Sequence, residues 1–568
     1  MKRNDSSSIF IEGWNRADFF YIASLGFAWI VMTIVVNPIG NFPLNDDWAY
    51  AESVKHLLET GNFQLPGWAV ANLLPQVLWG ALFCLPWGFS FTALRFSTLT
   101  LGLLGVIVTY GLFKEVSLNR KIAVLGASIL LVNPLYFGLA NTFMTDVPHY
   151  TVSILSLYFF VRGIKYNYWR AIIIALLVAI ISLLIRQVTA ALFLGYAITY
   201  VVKNLRLDAL ITSVILFVFL PLGIQSVFSQ LFWPKDFGDY GYKEREIISQ
   251  ITYFHLETVS NFIYFALLAF LYLGCFLLPF FVLAFVIKIG KVKSRTHKIL
   301  LTSSLLFISL IIGTWLFAKK ARMPLVGNVM IDWGLGPLTL RDTLLSQVAL
   351  VPNYLKIFWF IVTILAVIGA ALLLIFTCFS AFQLFLERQV SREKRSLILL
   401  NNSTAFIYFF PLGLSFFVDR YLLLLLPLSM IMVLNSLDKI DSFELNYKSW
   451  LFTSLTIISI SIFTVATTHD YLAWNRIRWQ ALENLMQEQI SSDRIDGGFE
   501  FNGWYLYDPA YPVYQKRNKN IVWWWSEKND YIIAFNPIEG YTEIEQYPLK
   551  NWLPFISERI LVLQRSSP

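Results

Sequence analysis

FFYIASLGFAWIVMTIVVNPIGNFPLNDDW, Phe19 to Trp48, is the stretch that decides the fold. Phe19 to Val36 carries no charge and approaches the roughly 20 apolar residues that a membrane-spanning helix needs. Asn37-Pro38 ends it, and the acidic pair Asp46-Asp47 follows within a short loop. The chain is polar up to Asp18, and no small-x-small cleavage site precedes Asn37, so the stretch reads as an uncleaved first span rather than a signal peptide. An acidic pair placed there stands at a bilayer surface.

The rest of the sequence extends that reading. The 568 residues are 57% hydrophobic and 14% charged, against roughly 25% charged in a soluble domain, and the mean hydropathy is +0.61. Most of the chain is therefore built for lipid. The net charge of +8 comes from Lys and Arg in short clusters between apolar spans, a pattern that orients membrane proteins and does not point to nucleic acid. Cys84, Cys275 and Cys378 lie in separate apolar stretches without metal or disulfide spacing and read as small buried hydrophobes.

Apolar stretches near 19–36, 91–113, 121–140, 149–162, 171–185, 188–202, 209–229, 261–287, 299–318, 354–386, 397–417, 421–436 and 451–467 give about thirteen spans. The basic connections Lys114 to Lys121, Arg162 to Arg170, Lys203 to Arg206, Lys288 to Lys298 and Arg388 to Arg395 alternate with the others and are expected on the cytoplasmic side. The loop after Val36, the turn at Asp146, Arg186, the segments 230–258 and 319–350, Asp419-Arg420 and the tail then face outward together. Lys319-Lys320-Ala321-Arg322 breaks the charge rule on that outer side, which marks it for a task such as binding phosphate.

The segment from Asp46 to about Phe89 is too broken by Gly and Pro to span, and 49–58 has the apolar spacing of a helix lying in the interface. After about Thr468 the composition turns polar and aromatic. Tyr471 to Ile490 is expected to be an amphipathic helix, Asn520–Trp525 and Tyr531–Phe535 a β-hairpin, and Arg559–Gln564 a further strand. The expected architecture is an all-α polytopic membrane protein with a small α+β extramembrane domain, the membrane part covering 1–467 with an interfacial first external loop at 37–90, and the tail covering 468–568. There is no internal sequence repeat.

Several short motifs share the outer face: Asp46-Asp47-x-x-Tyr50-Ala51-Glu52, Met144-Thr145-Asp146-Val147-Pro148, Arg186-Gln187, Asp419-Arg420-Tyr421-Leu422, Asp470-Tyr471-Leu472-Ala473-Trp474-Asn475 and Ile495-Asp496-Gly497-Gly498-Phe499-Glu500-Phe501. In this order the chain resembles the GT-C superfamily of polytopic glycosyltransferases, and within it the glycosyltransferase family 39-like branch of protein mannosyltransferases and 4-amino-4-deoxy-L-arabinose lipid A transferases. The resemblance implies a polyprenyl-phosphate sugar as donor, Asp46 as the catalytic carboxylate of the first loop and Asp146 as a second acidic residue at the same cavity. It departs from the arabinose-transferase pattern at Ala49, where Arg is common, and at Leu65-Pro66-Gly67-Trp68, where a Lys-Pro element is common. The sugar and the acceptor of this chain are therefore expected to differ from those of the arabinose transferases.

Such a transfer needs a carboxylate to take the proton of the attacking hydroxyl and a cation to steady the phosphate as it leaves. Asp46 suits the first role, and Asp146 would orient acceptor or donor. Arg186 and Arg420 suit the second because guanidinium stays charged and grips phosphate bidentately, with Lys319 and Lys320 as further phosphate ligands. Asp47, Tyr50, Glu52, His149 and Tyr421 would support them. One base in a single displacement implies inversion at the anomeric carbon, since retention would need a carboxylate nucleophile.

Each residue also has a plainer reading. Asp46 or Asp47 could cap the following helix, Asp47 above all, and Asp146 could cap its own. Arg186 and Arg420 could snorkel, or Arg420 could pair with Asp419. His149 lacks partners at metal-ligand spacing and reads as a satisfied interfacial histidine, and Trp523-Trp524-Trp525 as packing.

The expected function is therefore transfer of a monosaccharide to a lipid, glycan or protein acceptor by an integral multi-pass protein of the plasma (inner) membrane. The site would face the periplasm or exterior, with no cofactor, no metal ligand set and the need for a divalent cation left open. The rivals are a carrier of polyprenyl-linked sugars that makes no bond, and an oligosaccharide ligase of related fold. A carrier working by alternating access would place its charges between internal repeats.

Overall fold

The computed structural model describes residues 14–566 apart from 69–70, 118, 234–241, 253–254, 345–350, 388–389, 438–446 and 508–523. Among the described residues, nine helices are long and apolar enough to cross a membrane. They become ten if Arg120–Leu131 and Pro134–Ala140, bent by 61° at the intervening Asn133, count as one broken span. All thirteen apolar stretches fall on helices. Those that fall short of the length and apolarity of a span are Asp146–Tyr166, Trp169–Leu183 and Ala190–Asn204, and of these Trp169–Leu183 turns Trp169, Ile173, Leu177 and Ile181 outward. Asp146–Tyr166 is buried along most of its length against protein rather than lipid, and so can carry His149, Ser153, Ser156 and Arg162.

The first span, Arg16–Val36, starts at a capping box. Asn15 Oδ1 accepts from Ala17 N and Asp18 N, and Asp18 accepts from Asn15 N in return. The same Asp18 carboxylate takes Tyr110 Oη–H, Lys114 Nζ at 2.9 Å and Arg120 Nε at 3.0 Å. This cluster around the buried Asp18 joins the first span to Phe91–Ser117 and Arg120–Leu131 at the end opposite the acidic loop. Leu256–Lys291 and Asn353–Phe385 meet where Gly274 and Gly369 coincide: a Cβ on Gly369 would stand 2.1 Å from the Gly274 carbonyl oxygen. Small residues let the two backbones touch, which is how helices associate when lipid removes the hydrophobic drive between them. Leu207–Phe232 and Arg295–Ala318 keep most of their apolar side chains outward. Cys84 is buried as expected, whereas Cys378 is exposed on Asn353–Phe385, where lipid rather than protein would surround it.

The interfacial helix expected at 49–58 is Asp47–Thr60, and a short apolar helix, Leu74–Cys84, follows it. The last span and the amphipathic helix, read separately from sequence, form one continuous helix, Tyr447–Gln487, which carries the fold from membrane to tail without a break. The tail's sheet has the order Ile495–Asp496, Tyr531–Ala534, Arg559–Arg565, Tyr541–Pro548. This corrects the expected hairpin. Residues 520–523 lie outside the described residues, and Trp524-Trp525 form a turn. Tyr531–Ala534 pairs instead with Arg559–Arg565, antiparallel, and with Ile495–Asp496, parallel. Tyr541–Pro548 is a strand that the sequence reading missed; Thr542 to Gln546 are all exposed, so no apolar period marks it.

Candidate active site

Residues 37–47 lead from the first span to the site, and one buried and one half-buried arginine hold their backbone. Arg95 donates to the carbonyls of Pro38, Gly40 and Phe42, and Arg476 to those of Asn37 and Ile39. At Asn45 the chain turns through a left-handed conformation, φ 56°. Asp46 then stands at the N-terminus of Asp47–Thr60, but its side chain makes no cap hydrogen bond with that helix. Its Oδ1 accepts from the Trp68 indole at 3.1 Å and its Oδ2 from Arg420 Nη2 at 3.1 Å.

Asp146 arrives from a different element, the first turn of Asp146–Tyr166, where Thr145 rather than Asp146 occupies the cap position. Arg186 Nη1 donates to its Oδ1 at 2.6 Å, while Arg420 Nη1 stands 3.6 Å from its Oδ2, an oxygen that accepts no hydrogen bond in the structure. One guanidinium, Arg420, thus bridges the two carboxylates, and Arg186 backs the second. The Tyr421 ring lies beneath both cations, 5.0 Å from the Arg186 guanidinium carbon and 5.7 Å from that of Arg420. Tyr50 is buried beside the group; burial first and the Asp46 charge second hold its phenol protonated, well above the ordinary range.

Two further carboxylates align the parts. Asp47, read from sequence as the cap, does another job: its Oδ1 accepts from Leu44 N at 2.6 Å and its Oδ2 from Phe143 N at 3.0 Å. It therefore staples the loop bearing Asp46 to the turn leading into Asp146. Burial pushes its carboxyl up to about 8, against the pull of both amides. Asp419 does not pair with the Arg420 side chain; it accepts from the backbone amides of Val329, Met330 and Arg420, fixing the turn that aims Arg420 at Asp46. The segment it holds also reaches the acidic loop, where Asn45 Nδ2 donates to Asn328 Oδ1.

Other expected site residues stand apart. Lys319 and Lys320 are exposed at the end of Arg295–Ala318 and make no hydrogen bond or ion pair with Asp46, Asp146, Arg186 or Arg420. Arg322 beside them is held by Asp332. Glu52 points to the exposed face of its helix. His149 is buried between the hydroxyls of Thr189 at 3.0 Å and Ser153 at 3.2 Å. Among the described residues no group of three His, Cys, Asp or Glu side chains is placed to hold a metal ion.

The sequence reading also missed site residues. Trp68 lay in the stretch that departs from the arabinose-transferase pattern, and it is Trp68 that binds Asp46. Its ring packs with those of Trp48, Phe499, Tyr507 and Trp525, so the interfacial segment and the tail share one aromatic wall beside the carboxylate. Arg95 could have been found as a lone charge inside an apolar span, which is costly unless satisfied.

Residues 75–233 match the family model of dolichyl-phosphate-mannose-protein mannosyltransferases, so the resemblance drawn from the motifs is borne out over that segment. No curated protein matches the sequence. Among solved structures, the protein O-mannosyltransferase Pmt1-Pmt2 complex of S. cerevisiae, bound to the sugar donor, aligns at 13% identity and TM-score 0.31. That alignment covers 40% of this chain and only 35% of the yeast chain. ArnT from Cupriavidus metallidurans aligns at 12% identity in both of its states. Bound to undecaprenyl phosphate it gives TM-score 0.40 with 96% of this chain and 97% of that one covered; in the apo state the values are 0.34, 86% and 84%.

Proposed function

We propose that the protein is a membrane glycosyltransferase that moves a monosaccharide from a polyprenyl phosphate to an acceptor hydroxyl on the extracytoplasmic side of the plasma (inner) membrane, with inversion. The observation that carries this reading is the bridge of Arg420 between Asp46 and Asp146, with Arg186 behind it. It brings together a carboxylate able to act as a base and two guanidiniums able to bind phosphate, which supports the reading. The family match over 75–233 supports glycosyl transfer as the reaction class.

The roles follow from access. The Asp46 side chain is 19% exposed and that of Asp146 is 2% exposed, so Asp46 is the carboxylate that an acceptor can reach. As the acceptor oxygen attacks the anomeric carbon, Asp46 takes its proton. The bond from that carbon to the phosphate oxygen breaks, and its electron pair leaves with polyprenyl phosphate. Arg420 and Arg186 stabilise the charge that grows on the phosphate, where preorganised cations act most strongly. Asp146, buried and held by Arg186 with Arg420 Nη1 at 3.6 Å, keeps the two guanidiniums in place beside Asp46. If the reaction uses a divalent ion, Asp46 and Asp146 would be the residues to hold it and it would supply further neutralisation of the leaving phosphate, which chelator treatment tests.

Cells lacking the protein, restored with either the native chain or an Asp46→Asn variant of equal abundance, provide the test. The native chain is expected to drain one polyprenyl-linked sugar and add that sugar to an envelope acceptor, while the variant leaves the lipid-linked pool full. Full restoration by the variant would remove Asp46 as base and favour a carrier that makes no bond.

A further inference from the structure

Glu500 lies on the short helix Phe499–Leu506 of the tail, far along the sequence from the acidic loop, and is fully buried. Its Oε1 accepts from the backbone amide of Asn45 at 3.0 Å. Its Oε2 accepts from Thr339 Oγ1 at 2.6 Å and from Arg478 Nη1 at 2.8 Å. Arg478 is itself fixed, with Nε donating to the Gly497 carbonyl at 2.8 Å and Nη1 to Asn475 Oδ1 at 3.2 Å. The chain reaches this geometry because Gly498 adopts φ +88°, with its α-carbon so near the Thr339 carbonyl that a Cβ would stand 2.6 Å from that oxygen. Phe499 N then donates to the same carbonyl at 3.1 Å.

Asn45 is the residue before Asp46, and its left-handed backbone fixes the direction in which Asp46 leaves the loop. Its amide belongs to the peptide just before the one that joins Asn45 to Asp46, so holding it constrains the Asn45 backbone from which Asp46 leaves. A carboxylate paired with Arg478 accepts that amide more strongly than a neutral acceptor would. Resting on the function proposed above, we infer that Glu500 is a positioning residue. The extramembrane tail sets the Asn45–Asp46 backbone through it, and so forms part of the catalytic unit rather than a separate acceptor-binding module. It does not touch substrate, and its effect passes through Asp46.

The test compares the native chain, Glu500→Gln and the double variant Glu500→Met/Arg478→Met, all full length. The double change removes a buried charge together with its partner, which proteins tolerate far better than removal of either alone. It leaves the Asn45 amide without its acceptor. Two readouts are taken: steady-state transfer with a polyprenyl-phosphate sugar, and amide hydrogen exchange over 37–50.

The double variant is expected to keep a cooperative thermal transition. It should lose on the order of 100-fold in kcat, the scale set by misplacing a reacting group by about 1 Å, with KM for the donor changed little. Exchange should rise at 43–47 and stay the same in Asp146–Tyr166. Glu500→Gln, which retains an oxygen for Asn45, should recover much of kcat. In an Asp46→Asn background the double variant should cost nothing further, which a general weakening of the fold would not reproduce. Wild-type kcat in the double variant, or unchanged exchange at 43–47, overturns the inference. Raised exchange in a protein whose native form transfers no sugar would keep the latch and remove the proposed function instead.

Discussion

Two carboxylate–arginine clusters flank Asn45, and they are opposites. On one side Glu500 and Arg478 are 1% and 0% exposed in their side chains, and both oxygens of Glu500 are taken by protein donors. On the other side Asp46, Asp146, Arg186 and Arg420 use the same chemistry loosely. The closest approach of Arg420 to Asp146 is 3.6 Å, Asp146 Oδ2 accepts no hydrogen bond, and Asp46 is open to 19%. A buried pair is tolerable when every lone pair is filled, and costly when it is not. The first cluster fills both oxygens of its carboxylate, with Arg478 Nη2 left without an acceptor, and holds backbone; the second has fewer donors on its carboxylates and leaves Asp46 open to solvent.

The largest effect that would break this contrast comes from Asp46→Asn. In the open cluster it should lower kcat on the order of 10³-fold, the range for loss of a general base, with the thermal midpoint little changed because the side chain is partly exposed. A purified transferase assay beside a melting curve checks both. A large fall in midpoint with modest loss of turnover would make Asp46 a structural residue like Glu500.

Single removal of the arginines should show the reverse order. Arg478→Met leaves Glu500 buried without a partner and should destabilise by about 3–5 kcal/mol. Arg420→Met should cost less stability, because Asp146 keeps Arg186 and Asp46 keeps Trp68 and access to water, yet it should lower kcat by about 10²-fold or more as an electrostatic donor is lost. Denaturation of both variants in the same detergent, together with turnover, decides whether the two clusters differ as described.

How much of this was legible in the sequence depends on what carried each contact. Asp46, Asp146, Arg186 and Arg420 were visible because a charge at the end of an apolar span has few structural reasons to be there. That they meet is a product of helix packing, which no local pattern states. Asp47 and Asp419 looked like a cap and an ion-pair partner because nearest neighbours in sequence are the cheapest guess. The structure instead sends both carboxylates to backbone amides of distant segments, Phe143 and Val329-Met330. Glu500 could be quoted as part of a motif but not placed, since its partner is a backbone amide and an amide has no sequence signature. The spans were the easiest part, and the tail's sheet the hardest, because Tyr541–Pro548 shows solvent a polar face and its neighbours supply the core.

Asp47 gives a smaller and more specific effect. Its carboxyl is raised by burial to about 8 in the fold, against roughly 3.9 when unfolded. Between those values the native state binds the additional proton, so stability is fully present below about 4 and falls as pH rises towards 8. The thermal midpoint should decline across that window, and Asp47→Asn, which cannot ionise, should flatten the decline. A slope identical in the variant would assign the pH dependence to other groups.

The smallest effect is expected at Lys319 and Lys320, and it sharpens the comparison from outside. Both side chains are exposed and touch neither cluster. Exposed charges away from caps and pairs change stability within about 0.5 kcal/mol, and across water their pull on a bound phosphate is screened within roughly 10 Å at moderate salt. Lys319→Gln/Lys320→Gln should therefore leave the melting curve and kcat as they are, and raise KM for the donor by no more than about twofold, an increase that fades as ionic strength rises. A tenfold loss of kcat that persists at high salt would mean that these lysines close onto the phosphate during turnover. The open cluster would then gain its missing positive charge from the loop rather than from Arg186 and Arg420 alone.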